Sequence, residues 1–495
     1  MFGWGSVRPE TFMSEYFYIA LLILVVVMMF NVMIFVHELG HFLAARWRGL
    51  QVDRFQIWFG KPIWKKTING VQYGLGWIPA GGFVALPQMA AMESIEGDNL
   101  DGKPLPPVSP LDKIIVAFAG PLFSLLLAVV AALAVWGLGK PQDAIKSNVV
   151  GGLVAESPAL GILEPGDKIL EVDGEPVKWF AGRVFDDITT RIMLTEGDEV
   201  TFTIERDGEV KEVTTGFIIR DTPIYKRRAL PQVGMAPSRP ALVFKFSDSE
   251  TPGPAELAGM KVGDEIIAVN GEEIFGPQHV SMILRENDWK EATFTVKRGE
   301  EKLDLKITPL KPLSDFYDNP LIGIVWDPAS GFSTEILHPN PWEQISESLR
   351  MMAMTIKTIS SPSSNVGIDQ LAGPVGIGRT KYLLLQQPDG WLRVLAFFVL
   401  FNVNLAVLNM LPLPVLDGGH IVMAIYEWVR GKPLPSRFLE VIQTAFALLL
   451  MGFMLFITTK DIGDEVPDKE KKGDRKIVWP KVAQGPALPA PADSE

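Results

Sequence analysis

A short polar motif near the end of a long apolar run contains residue types that can do chemistry. The motif is His37-Glu38-Leu39-Gly40-His41. This HExxH spacing places two imidazoles one helical turn apart on one helix face, where both can bind one zinc ion. The carboxylate of the second residue lies beside them and can take a proton from a water whose pKa zinc has lowered. The motif predicts a zinc site for peptide hydrolysis, with Glu38 as the general base.

The alternative interpretation is that the two histidines are ordinary polar residues at a helix end. Depth argues against it, because at about 1.5 Å per residue His37 lies roughly 13 Å before Arg46 along the helix. Polar groups below the membrane surface cost several kcal/mol unless they are paired or liganded. A bound metal would supply that pairing.

A catalytic zinc ion usually has a third protein ligand. The segment 409–420, NMLPLPVLDGGH, ends a second apolar run and offers Asp417 and His420. If both runs cross the membrane in the same direction, their polar motifs meet at the same depth. Spacing alone leaves both residues open as the third ligand, whereas His279 and His338 belong to a segment expected on the opposite side of the membrane.

Composition restricts the class of protein further. The 495 residues include no cysteine, so disulfides and thiolate ligands are excluded and a metal must be held by nitrogen and oxygen. The net charge of -12, without a basic stripe, argues against nucleic acid as a partner. The mean hydropathy of +0.20 at an ordinary hydrophobic content of 47% indicates that apolar residues are concentrated in blocks.

Four charge-free runs are each near the roughly 20 residues that a spanning helix requires. Buried core helices are usually shorter and amphipathic, and the first run lacks the basic leading segment and cleavage site of a signal peptide. The sequence therefore predicts a multi-pass α-helical membrane protein with four transmembrane helices and the lipid bilayer as a partner. The runs are Tyr16 to Val36, Ile114 to Gly139, Val394 to Leu416 and Val441 to Thr459.

Basic residues concentrate between the first two runs, in 43–113, which is typical of a cytoplasmic face. The segment 140–393 and the carboxyl-terminal tail are then expected outside. Within 140–393, residues 163–177 and 201–208 recur as 260–274 and 293–300, and each copy contains an Asp-Gly or Asn-Gly hairpin turn.

The two copies resemble tandem PDZ domains of the circularly permuted bacterial type. The resemblance implies peptide binding by strand addition and a role in filtering substrates, although rigid spacers are an open alternative. Gly151-Gly152 could form a carboxylate-binding loop in the first copy, and the matching segment 241–244 of the second has no glycine.

Three other segments carry predictions. Residues 52–86, around Asn69-Gly70, indicate a membrane-associated β-hairpin whose edge could enter the bilayer. An apolar stripe at helical spacing predicts an amphipathic helix on the outer membrane surface, by Trp342, Ile345, Leu349, Met352 and Ile356. The residues from about Asp464 are typical of a disordered tail.

The HELGH and NMLPLPVLDGGH motifs together resemble those of the site-two protease family, over nearly the whole chain apart from the 36 residues after Thr459. By this resemblance His37, His41 and Asp417 bind Zn2+, Glu38 is the base, and His420 is not a ligand. The same resemblance implies that Asn409 helps to bind an unwound substrate backbone. Pro412 and Pro414 are predicted to contribute to substrate binding because they break the third helix and expose backbone groups near the metal, and the open alternative is a simple helix end.

Ala119-Gly120-Pro121 matches a second family pattern, but Ser124 stands where an asparagine is often found. We expect this departure to leave the metal site untouched.

The resemblance implies regulated intramembrane proteolysis in a bacterial inner membrane. The expected partner is a single-pass membrane protein, an anti-sigma factor or a signal-peptide remnant, after prior cleavage. The PDZ-like domains are expected on the periplasmic side and the active site towards the cytoplasm. The alternatives are a non-catalytic receptor with PDZ domains and a relic metal site, against which the intact Glu38 argues, and a zinc transporter, for which the second and fourth runs lack polar ligands.

The fold prediction is thus four transmembrane helices with an inserted β-hairpin and two β-rich extracytoplasmic PDZ-like domains. Its segments are the first transmembrane helix 1–45, a cytoplasmic-side loop 46–110, the second transmembrane helix 111–139, PDZ-like domains 140–228 and 229–312, a linker 313–390, the third transmembrane helix 391–420, a cytoplasmic segment 421–440, the fourth transmembrane helix 441–460 and the tail 461–495.

Overall fold

The computed structural model describes residues 12–89, 108–182, 184–314, 316–432, 435–466 and 477–480. Within them the helices are α1 (Phe12–Arg48), α2 (Pro110–Leu138), α3 (Ile188–Leu194), α4 (Pro254–Leu257), α5 (Pro277–Glu286), α6 (Pro341–Ser360), α7 (Pro374–Leu385), α8 (Gly390–Asn409), α9 (Asp417–Arg430) and α10 (Ser436–Gly463), with a 3-10 turn at Ile368–Gln370. The strands are β1 (Arg54–Phe59), β2 (Trp64–Ile68), β3 (Val71–Leu75), β4 (Ile78–Ala85), β5 (Lys140–Ala144), β6 (Val150–Leu153), β7 (Lys168–Val172), β8 (Glu175–Pro176), β9 (Glu199–Arg206), β10 (Glu209–Gly216), β11 (Met235–Pro237), β12 (Ala241–Phe246), β13 (Glu265–Val269), β14 (Glu272–Glu273), β15 (Ala292–Arg298), β16 (Glu301–Ile307), β17 (Ile324–Trp326) and β18 (Ser333–Leu337).

Four of these helices are long and apolar enough to cross a membrane: residues 19–48 of α1, all of α2, all of α8 and residues 437–463 of α10. Helices α1 and α2 approach each other closely, since a side chain at Gly40 would overlap the backbone of Ala119. Small residues at such crossings let helix backbones pack without a hydrophobic driving force. Helix α8 completes this bundle, with Phe398 and Val399 buried against Met33 and Ala132.

The third apolar run does not form one continuous helix. Helix α8 ends at Asn409, residues 410–416 are irregular, and Asp417 begins α9. Proline lacks an amide hydrogen and its ring obstructs the preceding helical turn, so Pro412 and Pro414 end the helix. The predicted helical run to Leu416 is thus too long, and α9 occupies part of the predicted short segment 421–440.

A four-stranded sheet follows α1, with the strand order β2-β3-β1-β4. Strands β2 and β3 form an antiparallel hairpin, and both residues of its turn have positive φ, 50° at Asn69 and 81° at Gly70. This is the conformation that a two-residue type I′ turn requires. The sheet packs on α1 through Phe55 and Val84, which places β4, one of its two outer strands, beside the helix with the HExxH motif.

Two β-rich domains follow α2. The first β-rich domain, residues 150–237, has the sheet orders β10-β9-β7-β8 and β11-β6. The second β-rich domain, residues 241–326, has the order β16-β15-β13-β12-β17, with β14 on β13. Strand β11 lies in the range predicted for the second copy but pairs with the first, and β17 lies beyond the predicted limit at residue 312.

The repeated sequence forms the same local structure in both domains. Asp167 of the first accepts hydrogen bonds from the backbone of Glu164 and from the guanidinium of Arg206. Asp264 of the second domain accepts hydrogen bonds from the backbone of Lys261 and from the guanidinium of Arg298 in the same way. The two carboxylates are 1% exposed, so each pair joins a turn to a strand inside its domain.

Two further elements join the domains to the spans. Strand β5, directly after α2, pairs with β18, directly before α6. The predicted amphipathic helix is α6, which begins with a capping box formed by Asn340 and Glu343. Gln344 of α6 donates a hydrogen bond to the carbonyl of Ala132, so α6 is fixed against α2.

Part of the predicted tail is ordered. Helix α10 extends to Gly463, and residues 477–480 pack against the second β-rich domain. The prediction of disorder rested on polar composition, and it does not hold for these residues because Ile477 and Trp479 bury apolar side chains there. The remaining tail residues, 467–476 and 481–495, lie outside the described part of the chain.

Candidate metal centre

Three side chains from two helices converge beside the small residues of α2. The Nε2 atom of His37 lies 3.2 Å from Oδ2 of Asp417, and Nε2 of His41 lies 3.3 Å from Oδ1 of the same carboxylate. The two Nε2 atoms are 3.3 Å apart. All three residues are buried, and they form the one group of potential metal ligands found among the described residues.

The three separations fit one zinc ion. Ligand atoms bound about 2.0–2.1 Å from zinc at tetrahedral angles lie about 3.3–3.4 Å from one another. The observed separations of 3.2–3.3 Å, two of which end on different oxygens of Asp417, are of this size, so the two imidazoles and the carboxylate could hold one zinc ion as its three protein ligands. An open fourth position distinguishes catalytic from structural zinc sites.

Each imidazole is oriented through its other ring nitrogen. Nδ1 of His41 lies 2.8 Å from the carbonyl oxygen of Val116. A carbonyl only accepts hydrogen bonds, so Nδ1 carries the proton and Nε2 presents its lone pair to the metal. Nδ1 of His37 lies 3.0 Å from the hydroxyl of Ser124, which is fully buried. Both partners belong to α2.

Ser124 stands where the family pattern often has an asparagine, and we expected this difference to leave the metal site untouched. The structure shows that this expectation is wrong. The hydroxyl of Ser124 bonds directly to one of the two imidazoles. Gly120, one turn earlier on α2, packs against both histidines, because a side chain there would overlap Nε2 of His41 and lie 2.9 Å from Nε2 of His37. The spacing of Gly120 and Ser124 by four residues was the available sequence signal, since it puts both on one helix face.

Glu38 projects toward the sheet edge. A Cβ atom at Gly82 of β4 would lie 3.5 Å from its Cγ atom. The strand order places β4 at the outside of the sheet, paired only with β1 among the described strands. The side chain of Glu38, next in sequence to His37, therefore lies against a strand whose outer edge can pair with an extended peptide.

Asp417 is the first residue of α9 and follows the irregular segment 410–416. That segment is tied to α10, since the side chain of Gln443 donates a hydrogen bond to the carbonyl of Pro414. Asn409 is the last residue of α8, and Pro412 is exposed. Of the predicted substrate residues, Pro412 and Pro414 thus lie on the non-helical segment that leads to Asp417, and Asn409 directly precedes that segment.

His420, the rival candidate, is not part of the ligand group. His338 contacts the carbonyl of Trp136. Along α2, Trp136 lies 136 − 116 = 20 residues, or about 30 Å, beyond Val116, whose carbonyl contacts His41. His279 belongs to α5 of the second β-rich domain. The structure therefore brings together the two motif histidines and Asp417, and it keeps these two other histidines away.

Comparison with known proteins agrees with this geometry. The model of the family described as peptidase family M50 matches residues 25–453. The chain belongs to peptidase family M50.

Curated members of the family match over most of their length. A putative zinc metalloprotease of Pasteurella multocida is 30% identical over 457 residues, covering 87% of this chain and 96% of that protein. The regulator of sigma E protease of Haemophilus influenzae is 26% identical, with 87% and 96% covered. The regulator of sigma-E protease RseP of Escherichia coli is 27% identical over 445 residues, with 86% and 95% covered.

Membership in family M50 confirms three predictions from the sequence. The chain is a zinc metalloprotease, its cofactor is Zn2+, and the four apolar helices make it an intramembrane enzyme that acts on a membrane protein. The resemblance to the site-two protease family is confirmed with it. The alternative of a non-catalytic receptor gains no support from these matches.

Proposed function

We propose that His37, His41 and Asp417 hold the zinc ion and that Glu38 is the general base for cleavage of a peptide bond within a substrate's transmembrane segment. The observation that carries this assignment is the close group of three side chains, in which each Nε2 atom lies 3.2–3.3 Å from the other and from an oxygen of the Asp417 carboxylate. Two of its members come from α1 and one from α9, so the site exists only when the chain is folded.

Bound Zn2+ would polarise the attacking water and the scissile carbonyl, which lowers the barrier to hydrolysis. Glu38 accepts the proton of that water and passes it to the amine that leaves. Ser124 and the Val116 carbonyl hold the two imidazoles in the tautomer that exposes Nε2. Gly120 keeps a side chain out of the space that the histidines occupy.

A substrate helix must unwind before cleavage, because its peptide carbonyls are hydrogen-bonded within the helix. In our proposal the outer edge of β4 pairs with the unwound segment and presents it to Glu38, which lies directly beside Gly82 of that strand. Asn409 and the segment with Pro412 and Pro414 hold the other side. Their place between α8 and Asp417 supports this role.

We assign the two β-rich domains as PDZ-like domains that exclude substrates which have not been trimmed. The repeated turns and ion pairs support a common fold for both copies. Because two relatives are named regulators of sigma-E, we propose an anti-sigma factor, after prior cleavage, as the substrate class. The proposed location is a bacterial inner membrane, with the β-rich domains periplasmic and the metal centre towards the cytoplasm, in line with the basic residues in 43–113.

Separate variants test the base and the third ligand. Glu38→Gln removes the base but no ligand, so we expect cleavage of a single-pass model substrate to fall by at least about 100-fold while zinc content by elemental analysis stays at the wild-type level. Asp417→Ala should lose both zinc and cleavage. Glu343→Gln, in the capping box of α6, is the control with unchanged activity. Full activity in Glu38→Gln would refute the base assignment, and unchanged zinc in Asp417→Ala would refute the ligand assignment.

A further inference from the structure

The described end of the tail forms hydrogen bonds with the second β-rich domain as an added strand would. The amide of Ile477 donates to the carbonyl of Asp248 at 3.2 Å, and the carbonyl of Val478 accepts from the amide of Leu313 at 2.9 Å. Ile477 and Ser249 are partners in a parallel β-bridge. The segment 477–480 therefore lies between two loops of this domain and uses backbone groups on both sides.

The indole of Trp479 lies in a pocket that two glycines leave open. A Cβ atom at Gly253 would lie 3.2 Å from the ring, and one at Gly323 would lie 2.9 Å from it. Trp479 is 6% exposed and Ile477 is 4% exposed, whereas Val478 between them is 39% exposed. Alternating burial with backbone pairing is the pattern by which domains recognise extended peptides.

The helix that leads to this segment, α10, is itself attached to the first β-rich domain. The ammonium group of Lys460 donates to the carbonyls of Ile224 at 2.6 Å and Lys226 at 2.9 Å. Arg227 pairs with both Asp461 and Asp464. The carboxyl end of α10 thus binds residues 224–227. Residues 477–480 make a second attachment, to the second β-rich domain.

We propose that the Gly253–Gly323 pocket is a peptide-binding site of the second β-rich domain for an apolar segment with a tryptophan anchor. Its resident ligand is the chain's own segment 477–480. Occupied in this way, the site ties the second domain to α10 and limits the movement of the domain pair. Release of Trp479 removes one of the two attachments.

Because the chain has no cysteine, a disulfide reports this contact directly. Ser249 and Ile477 are bridge partners, so cysteines at both positions fall within the Cα separation of about 4.4–6.8 Å that a disulfide needs. In the membrane, we expect the fraction of chains with the disulfide to be at least about tenfold higher for Ser249→Cys/Ile477→Cys than for Val210→Cys/Ile477→Cys. In the second variant the first cysteine lies on β10 of the first β-rich domain. Equal oxidation of the two pairs would overturn the proposal.

Binding in trans tests the pocket itself. The probe is a fluorescein-labelled peptide of residues 475–481, added to a chain that ends at Val466. We expect binding, measured by anisotropy, to weaken at least about tenfold when the peptide carries Trp479→Ala or when the chain carries Gly253→Val. The peptide variant cannot affect folding of the chain, so equal binding by both peptides would reject the pocket assignment.

The consequence for proteolysis rests on the proposed function. Trp479→Ala in the full chain should raise cleavage of a substrate with a folded extramembrane domain several-fold relative to one with a short extramembrane segment. An unchanged ratio would reject the regulatory role. Failure of the wild type to cleave either substrate would count against the proposed function instead, while the disulfide and the peptide binding would still report on the pocket.

Discussion

The two histidines that we propose as metal ligands differ in what orients them. His41 bonds to a backbone carbonyl, which no side-chain substitution removes. His37 bonds to the hydroxyl of Ser124, which can donate as well as accept. The tautomer of His41 is therefore set by the fold of α2, whereas that of His37 depends on one side chain.

This difference predicts the effect of Ser124→Ala. The substitution removes the partner of His37 Nδ1 without touching a ligand, so we expect zinc affinity to fall about 10–100-fold. Competition with a chromophoric chelator measures the affinity. Ser348→Ala is the matched control and should bind zinc as the wild type does, because this buried serine of α6, among the described residues, donates its hydrogen bond to the Gln344 carbonyl of its own helix. Wild-type affinity in Ser124→Ala would show that the hydroxyl does not orient the ligand.

At the scale of single residues, the sequence predicted what local spacing determines. His37, Glu38 and His41 lie within one helical turn, and Asp417 was one of two open candidates until the family resemblance was used. Ser124 was not predicted to touch the site, because its contact joins positions 87 residues apart. Such a contact depends on how α1 and α2 cross.

At the scale of elements, the repeated ion pairs govern the stability of the two β-rich domains. Burial raises the pKa of Asp264, but the hydrogen bonds and charge of Arg298 more than offset this and hold the pKa below its ordinary range. A lowered pKa means that the folded state favours the charged carboxylate. The stabilisation is thus present above the ordinary pKa and is lost as the pH falls through the lowered one.

We therefore expect Asp264→Asn to destabilise the second β-rich domain at pH 7 by about 1–3 kcal/mol, because it leaves the guanidinium without its charged partner. The difference from the wild type should shrink as the pH falls below about 4, because the carboxylate becomes protonated first in the unfolded chain and then, at its lowered pKa, in the folded domain. Hydrogen exchange of residues 261–298, corrected for the intrinsic effect of pH, measures it. Asp304→Asn on the exposed face of β16 is the control. A difference that is constant from pH 7 to pH 3 would contradict the role of the charge.

The elements themselves were predictable to different degrees. Asn69-Gly70 and the repeated turns at Asp173 and Asn270 have the positive φ values that their residue types favour. The extents of the β-rich domains were not predicted, since β11 and β17 pair with strands about 80 residues away (235 − 153 = 82 and 326 − 243 = 83). No local signal in three-residue strands identifies such partners.

At the scale of the whole molecule, Asp461 at the end of α10 connects three parts of the chain. Its carboxylate is fully buried, pairs with Arg227 of the first β-rich domain, and accepts hydrogen bonds from the amides of Gly373 and Gly376 at the start of α7. Carboxylates are stabilised at helix amino termini by these free amides. The last span, α7 and the first β-rich domain are thereby fixed to one another.

Removal of Arg227 should loosen this junction. Arg227→Ala leaves the buried carboxylate with its amide donors but without a countercharge, so we expect a loss of about 1–3 kcal/mol in the unfolding free energy of the full chain in detergent. Arg379→Ala is the control, because its partner Glu465 lies at the same end of α10 but both side chains are about half exposed, and such pairs contribute about 0–1 kcal/mol.

A double-mutant cycle separates the charge from other effects of the substitution. If Arg227 acts by compensating the buried charge, Arg227→Ala should cost less in an Asp461→Asn background, with a coupling energy of about 0.5–3 kcal/mol. Additive effects would mean that Arg227 acts instead through its hydrogen bond to the carbonyl of Leu371 or its contact with Asp464. Because the first β-rich domain is attached here, hydrogen exchange at residues 224–228 should increase in the single variant and return towards the wild-type rate in the double variant.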